Sequence, residues 1–303
     1  TAKALVAPVS NVGSTSAPGV PFALAIAPSG MSAFVTDNAG GIVYGYSIVG
    51  GPTGGQLSGI TTIPYYVTGT GAPNNALGTP GSGPRGITYH PNSLFVYVVN
   101  GNDKTVSQFS VTGNGLSALG AMGAGGTTLN SFPVGTDPYY AVVEPTGNYL
   151  YVTNKGDNTI SQFKICQTGD VTCTTVGGLT ALSPATVSSI GAGPVGITAN
   201  NSSVFVTTAD GKVAQFTISA NGQLAPNASL NTGTIAAGTN PRGIVTGFGS
   251  TFGSNVYVTN QGSDSIQSYL LDSTASLPYP LKNATTPSIS QAAGSGPTSL
   301  TIF

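Results

Sequence analysis

Residues 138–165 read PYYAVVEPTGNYLYVTNKGDNTISQFKI, and this stretch decides the fold. A proline opens a short apolar run, YYAVVE. A second run, LYVTN, is β-branched and aromatic with alternating character, so it reads as a strand. The polar turn NKGDN follows, with Asn and Gly to supply the positive φ of a tight hairpin. A third run, ISQFKI, carries an aromatic at its fourth position. The same pattern recurs after Pro21, Pro84, Pro194 and Pro241, and its first part after Pro297, at intervals of 63, 54, 56, 47 and 56 residues. A repeat of roughly this length marks an array of identical supersecondary units.

We label the strands of one unit A, B, C and D. Strand A is FALAIA, RGITYH, YYAVVE, VGITAN, RGIVTG and TSLTIF; strand B is AFVT, VYVVN, LYVTN, VFVTT and VYVTN. Strand C is VYGYSI, VSQFSV, ISQFKI, VAQFTI and IQSYLL, with the aromatic column Tyr46, Phe109, Phe163, Phe216 and Tyr269. A looser Gly/Ser/Thr/Pro stretch then carries strand D. Four antiparallel strands per unit is the blade of a β-propeller. The expectation is an all-β, single-domain propeller over residues 1–303, with about six sectors: five full four-stranded blades and a sixth split between the termini.

The segments LYVTNKGDNTI and NVYVTNQGSDSI resemble the YVTN-type β-propeller repeat of bacterial and archaeal surface proteins and of lactonase-like propellers. The resemblance covers nearly the whole chain. It implies the propeller fold and leaves the activity open, because one fold hosts many functions.

In a propeller the A strands line a central channel, and a period of two sends alternate residues to opposite faces. The second, fourth and sixth residues after each proline are mostly small or polar, as in Gly86, Thr88 and His90. These are expected to face the channel. The interleaved set, including Leu24, Ile26, Ile87, Tyr89, Ile197, Ile244, Leu300 and Ile302, is expected to pack between blades.

The sixth copy is short of a hairpin. Its parts are an N-terminal run around Lys3, Ala4, Leu5 and Val6 and a C-terminal A strand of Ser299, Leu300, Thr301, Ile302 and Phe303. Three readings stand: a thin sixth blade, a five-bladed ring with leftover strands, or a blade completed by a neighbouring subunit through β-strand addition. Beginning at Thr1, the chain reads as a processed product.

Charged residues make up only 6% of the 303, with net charge −1. Eight scattered Lys and Arg do not build the basic face that nucleic acid requires. No apolar run reaches the length of a membrane-spanning helix. A charge-poor surface tends to associate, which points to self-association, or to a glycan or a surface protein as partner. Cys166 and Cys173 flank QTGDVT and suit a local disulfide in an oxidising, extracellular or cell-surface setting; two free thiols are the alternative. Sequons stand at Asn200, Asn201, Asn227 and Asn283.

The chain holds one His, two Arg and one Glu. Arg85 and Arg242 follow their opening prolines directly, and could bind an anion or cap strand ends. His90 and Glu144 lie six residues after theirs, and could form an acid–base dyad or a structural pair. Five residues of strand span about 16 Å, which sets the two pairs at opposite mouths. Asp103, Asp157, Asp210 and Asp264 occupy equivalent B–C turns and read as turn residues, one per blade. No cofactor fingerprint, nucleophile elbow or metal cluster is present. The expectation is therefore a non-enzymatic structural or binding propeller, with assembly as a filament or surface-layer subunit in view. The alternative is a lactonase-like hydrolase or cycloisomerase.

Overall fold

A computed structural model describes residues 20–49, 56–59, 66–67, 83–112, 115–119, 131–171, 173, 175–230, 232–247, 255–272, 279–290 and 294–299. They form five antiparallel sheets, each built from one proline-led repeat. The A strands are Pro21–Ile26, Pro84–Tyr89, Pro138–Val143, Pro194–Ala199 and Pro241–Thr246. The B strands are Ser32–Asp37, Phe95–Asn100, Tyr149–Asn154, Ser203–Thr208 and Asn255–Asn260. The C strands are Ile42–Val49, Thr105–Thr112, Thr159–Ile165, Lys212–Ile218 and Ser265–Leu271. Strand D is continuous in the third and fifth blades, as Leu179–Ser188 and Leu281–Ser290. In the others it is broken in two, as in Leu224–Pro226 and Thr234–Ala236. The expected propeller architecture is what the chain adopts, with five blades among the described residues.

Apolar side chains pack between blades rather than within them. Phe34 and Ala27 of the first blade meet Ile87, Tyr89, Val96 and Val98 of the second. Tyr97 and Val99 of the second meet Ala141, Val143, Leu150 and Val152 of the third. This matches the interleaved set read from the A strands. The exceptions are Leu24 and Ile26, which are 55% and 42% exposed. Both lie on the face that every later blade turns toward its predecessor, and no blade precedes the first among the described residues.

Each A strand breaks register just after its proline. Pro138 pairs with Asn154 and Ala141 with Val152, so two residues of strand A face the single Thr153. The same shift occurs in the other four A strands. This is a β-bulge, which leaves one backbone group off the ladder and turns a side chain. The Thr of the YVTN motif repairs the ladder. Thr153 Oγ1 accepts from Tyr140 N at 3.1 Å and donates to Val195 O of the next blade at 2.8 Å. Thr36 repeats this between Ala23 N and Arg85 O, and Thr207 between Gly196 N and Arg242 O. The second blade carries Val99 in this place and lacks the bridge.

Other motif residues stitch the blades farther out. Tyr97 and Tyr151 hydroxyls donate to Gly177 O and Gly222 O of the following blade. Strand C glutamines accept from the next blade's strand D: Gln108 from Leu179 N, Gln162 from Leu224 N, and Gln215 from Leu281 N. In the second, fourth and fifth blades the close approach of neighbouring strands requires glycine two residues after the proline. A Cβ at Gly86 would lie 2.6 Å from Tyr140 Cα and 2.8 Å from Tyr139 O. One at Gly243 would lie 2.9 Å from Ser299 Cα and 3.0 Å from Thr298 O. Thr298 and Ser299 thus stand beside the fifth blade where a following A strand belongs. Asp264 holds the approach to them, accepting from Gly294 N and Gly296 N at 2.9 and 2.8 Å. The remaining parts of the split sixth blade, Lys3–Val6 and Leu300–Phe303, lie outside the described residues.

Two predictions follow from this packing. Thr153→Val keeps the side-chain shape, as Val99 does one blade earlier, but strands Tyr140 N and Val195 O. It should lower stability by about 1–3 kcal/mol, read as a shifted urea midpoint; an unchanged midpoint removes the bridge from the account. Burial raises the pKa of Tyr89 to about 12 and also raises Tyr97, Tyr151 and Tyr269. The unfolded chain ionises its tyrosines near pH 10, so the folded state holds more protons above that pH. Its stability should therefore be intact below about pH 10 and fall as pH rises, with these tyrosinates absorbing only on unfolding.

Candidate active site at the channel mouth

The bulge decides which side chains gather at one mouth of the channel. It turns inward the residue directly after each proline, and the threonine bridges fix the carbonyls of three of these residues: Arg85, Val195 and Arg242. Tyr139, at the same position of the third blade, sits among them. The Arg85 guanidinium carbon lies 5.3 Å from the Tyr139 ring centroid and Lys155 Nζ lies 5.5 Å from it. Arg242 Nη1 donates to the Tyr139 hydroxyl at 3.3 Å. Phe22 packs edge-on to Tyr139 with centroids 5.2 Å apart, and Tyr140 does so at 5.4 Å. Residues of the first, second, third and fifth blades thereby meet on one ring, while the fourth contributes the short Val195.

Arg85 is paired with Asp137, to whose carboxylate it donates, and also donates to Pro138 O at 3.2 Å. Asp137 precedes the A-strand proline with φ +51°, a left-handed conformation. Gly83 and Gly193 fill the same slot in the second and fourth blades, and Asn240 in the fifth. Left-handed backbone is costly for a residue with a Cβ, and Asp and Asn tolerate it best. The slot therefore admits a carboxylate, and here it carries one to the arginine mouth. Arg242 Nε donates to Gln261 Oε1 at 3.1 Å. Among the described residues neither Arg242 nor Lys155 has a carboxylate within ion-pair distance.

Next to these residues, sharing Phe22 and Tyr140 but lined by none of Arg85, Asp137, Tyr139, Lys155 and Arg242, lies a cavity of about 1130 Å³ bordered by Ala23, Ile87, Gly196, Ile197 and Gly243 and extending past Leu24 and Ile26 to Thr298 and Ser299. Burial raises the pKa of Tyr140, with Tyr139 adding to the rise and Arg242 opposing it.

His90 and Glu144 lie at the far ends of their A strands. His90 is 5% exposed; its Nδ1 accepts from Asn92 N at 3.2 Å, which leaves Nε2 to donate to Gly147 O at 2.9 Å. Glu144, 2% exposed, accepts from the backbone of Thr146, Asn148 and Tyr149 and from the Thr146 hydroxyl. Asn200 serves the equivalent turn, accepting from Ser202 N and Ser203 N. The pair are neighbours through Gly147, yet every polar atom of both rings or carboxylates is engaged by an A–B turn, so no dyad forms. Asp157 likewise serves its turn, accepting from Thr136 N and the Thr159 hydroxyl. Cys166 and Cys173 form a disulfide, which excludes the free thiols. It closes a loop whose Gln167 also donates to Gly147 O. Of the sequon residues, Asn227 is buried and Asn200 is tied into its turn, whereas Asn201 and Asn283 are exposed.

Sequence reasoning placed the arginines at one mouth but missed Tyr139, Lys155 and Asp137. Tyr139 and Asp137 flank Pro138, and the position of Asp137 against Arg85 follows from its left-handed slot, which a strand-by-strand reading does not weigh.

Residues 68–181 match the family described as "Lactonase, 7-bladed beta-propeller". A 6-phosphogluconolactonase of Pectobacterium atrosepticum is 32% identical over 93 residues, covering 29% of this chain and 26% of that protein. The chain thus spans about a quarter of the length of the curated relatives it matches. The periplasmic gluconolactonase of Pseudomonas aeruginosa superposes with TM-score 0.60 at 15% identity, over 88% of this chain and 71% of that one. A protein of Desulfotomaculum acetoxidans, of unknown function, gives TM-score 0.60 at 16% identity over 88% and 69%. Over residues 68–181 the chain is similar to lactonase propellers, and its fold as a whole is a propeller. The expectation of a non-enzymatic surface or filament subunit is overturned, because the relatives are lactonases. Its physical premise also fails: the arginine mouth does possess a carboxylate, Asp137.

Glu144→Gln, which leaves one acceptor oxygen for bonds now shared by two, should cost about 1–3 kcal/mol of stability in denaturant titration. It should leave ligand affinity at the arginine mouth unmoved. A change in affinity with stability intact would assign Glu144 to the site.

Proposed function

We propose that this chain is a lactone hydrolase whose reaction is carried out at the arginine mouth. The observation that carries the reading is the Asp137–Arg85 pair facing Arg242 across Tyr139 beside a channel cavity. It is supported by the lactonase relatives that the chain matches over part of its length. Hydrolysis needs a base for water, a donor set for the carbonyl oxygen as it becomes anionic, and a proton for the ring oxygen that leaves. Asp137 takes a proton from water as its oxygen bonds to the lactone carbonyl. Arg85 orients that carboxylate, and the guanidinium of Arg242 stabilises the oxyanion. Collapse breaks the ring C–O bond, and the proton returns to the alkoxide, leaving a hydroxy acid that ionises in water. The disulfide, with the likeness to a periplasmic gluconolactonase, supports an oxidising compartment outside the cytosol.

Hydrolysis of δ-gluconolactone and 6-phosphogluconolactone, followed by acid release above the spontaneous rate, tests this directly. Asp137→Asn should lower kcat at least about a hundredfold, in the range of general-base catalysis, with KM little changed. Wild-type protein that accelerates neither lactone would end the proposal.

A further inference from the structure

The cavity beside the arginine mouth carries no charge. Among the described residues no Lys, Arg, His, Asp or Glu lines it, and its only polar side chains are those of Tyr140, Thr298 and Ser299. Its volume of about 1130 Å³ is ample for a small molecule. Cavity and mouth share a wall: Phe22 and Tyr140 line the cavity, lie 5.7 Å apart between ring centroids, and both pack on Tyr139.

We propose that this cavity binds an uncharged alkyl or acyl chain, and that the substrate is a lactone bearing such a chain, with its ring at the arginine mouth. The substrate class rests on the reading of that mouth as the reactive site; the apolar site itself does not. Leu24 and Ile26 line the cavity and are exposed. Their cross-strand partners Val35 and Ala33, and beyond these Tyr44 and Tyr46, share the same face of the first blade. Ala33 is buried and the other three are half-buried. Exposure is thus confined to the innermost strand, at the channel, which leaves room for a slender ligand rather than for another blade. Covering Leu24 and Ile26 removes apolar surface from water, and the gain grows with the length of chain that does so. A polyhydroxylated ring in this place would leave most of its hydroxyls without side-chain partners, at a desolvation cost. The few charges of the mouth and the uncharged cavity beside it therefore suit the two ends of one amphipathic molecule.

Fluorescence of the neutral dye N-phenyl-1-naphthylamine on the intact chain, and its displacement by lactones, tests the proposal. The dye should bind. δ-Valerolactone, δ-octalactone and δ-dodecalactone differ in alkyl chain alone, and affinity should rise along this series about two- to fourfold per methylene. δ-Gluconolactone should displace the dye poorly. Leu24→Asp and Ile26→Asp should each weaken dodecalactone binding about tenfold at unchanged thermal midpoint, because both side chains are exposed. Val171→Asp, equally exposed but outside the cavity, should have no effect. Both native cysteines are in a disulfide, so a maleimide reports on Ile26→Cys specifically; dodecalactone should slow that reaction about tenfold. A thiol shielded before any ligand is added would show that residues 1–19 or a second copy of the chain fills the cavity, and would overturn the proposal. Affinity independent of chain length would do the same. Chain-length-dependent binding without hydrolysis would leave this inference standing and remove the hydrolase reading. Hydrolysis of δ-gluconolactone with no dependence on an alkyl chain in the other lactones would do the reverse.

Discussion

Threonine hydroxyls in three of the five described blades tie this propeller together. Thr36, Thr153 and Thr207 each accept the N–H that the bulge in their own strand A pushes off the ladder, and each donates to a carbonyl of the following blade. A buried backbone group without a partner costs more than an average hydrogen bond contributes. The bulge and the threonine therefore exist together. Where Val99 replaces threonine, the second and third blades rely on the Tyr97 and Gln108 bonds and on apolar packing. The YVTN motif is thus a set of contacts between blades: Tyr and Thr reach forward, Val fills the core, and Asn folds back on the hairpin. Asn154, for example, donates to Thr159 and Ser161.

The same bulge makes the site. It sends the residue after each proline into the channel mouth, and the threonine bridges fix the carbonyls of three of these residues. Side chains at this position differ between blades: here they are Phe22, Arg85, Tyr139, Val195 and Arg242, of which Val195 is buried. Two sets of positions are thereby separated within one strand: the third and fifth residues after the proline pack between blades from the second blade on, and the first residue lies at the mouth. In a chain with so few charges, the gathering of three cations at one point dominates the local field.

Legibility in the sequence followed the range of the interaction. The aromatic column at Phe109, Phe163 and Phe216 was visible because a period-two pattern repeats along the chain, and the buried rings occupy the places assigned to them. The separation of the arginines from His90 and Glu144 was visible because strand length alone sets it. The roles of His90 and Glu144 were not, because a turn's own N–H groups compete for the same lone pairs and the outcome depends on geometry. Asp137 and Lys155 escaped notice because they lie in a loop and a turn, where no periodicity marks direction. The exposure of Leu24 and Ile26 was equally hidden, since an apolar alternation does not say whether a neighbouring blade is there to cover it.

By itself the sequence determined the blade: proline spacing, alternation and turn residues are local properties, and they specify four antiparallel strands wherever they recur. It also determined that the chain has too little charge for a basic or acidic surface. Only the tertiary structure decided what the few charges do. Lys155, Arg242 and Arg85 lie far apart along the chain, and they meet because circular stacking of blades brings equivalent strand ends to one axis. Tyr139 stands where they meet, and that coincidence is a property of the ring rather than of any one repeat.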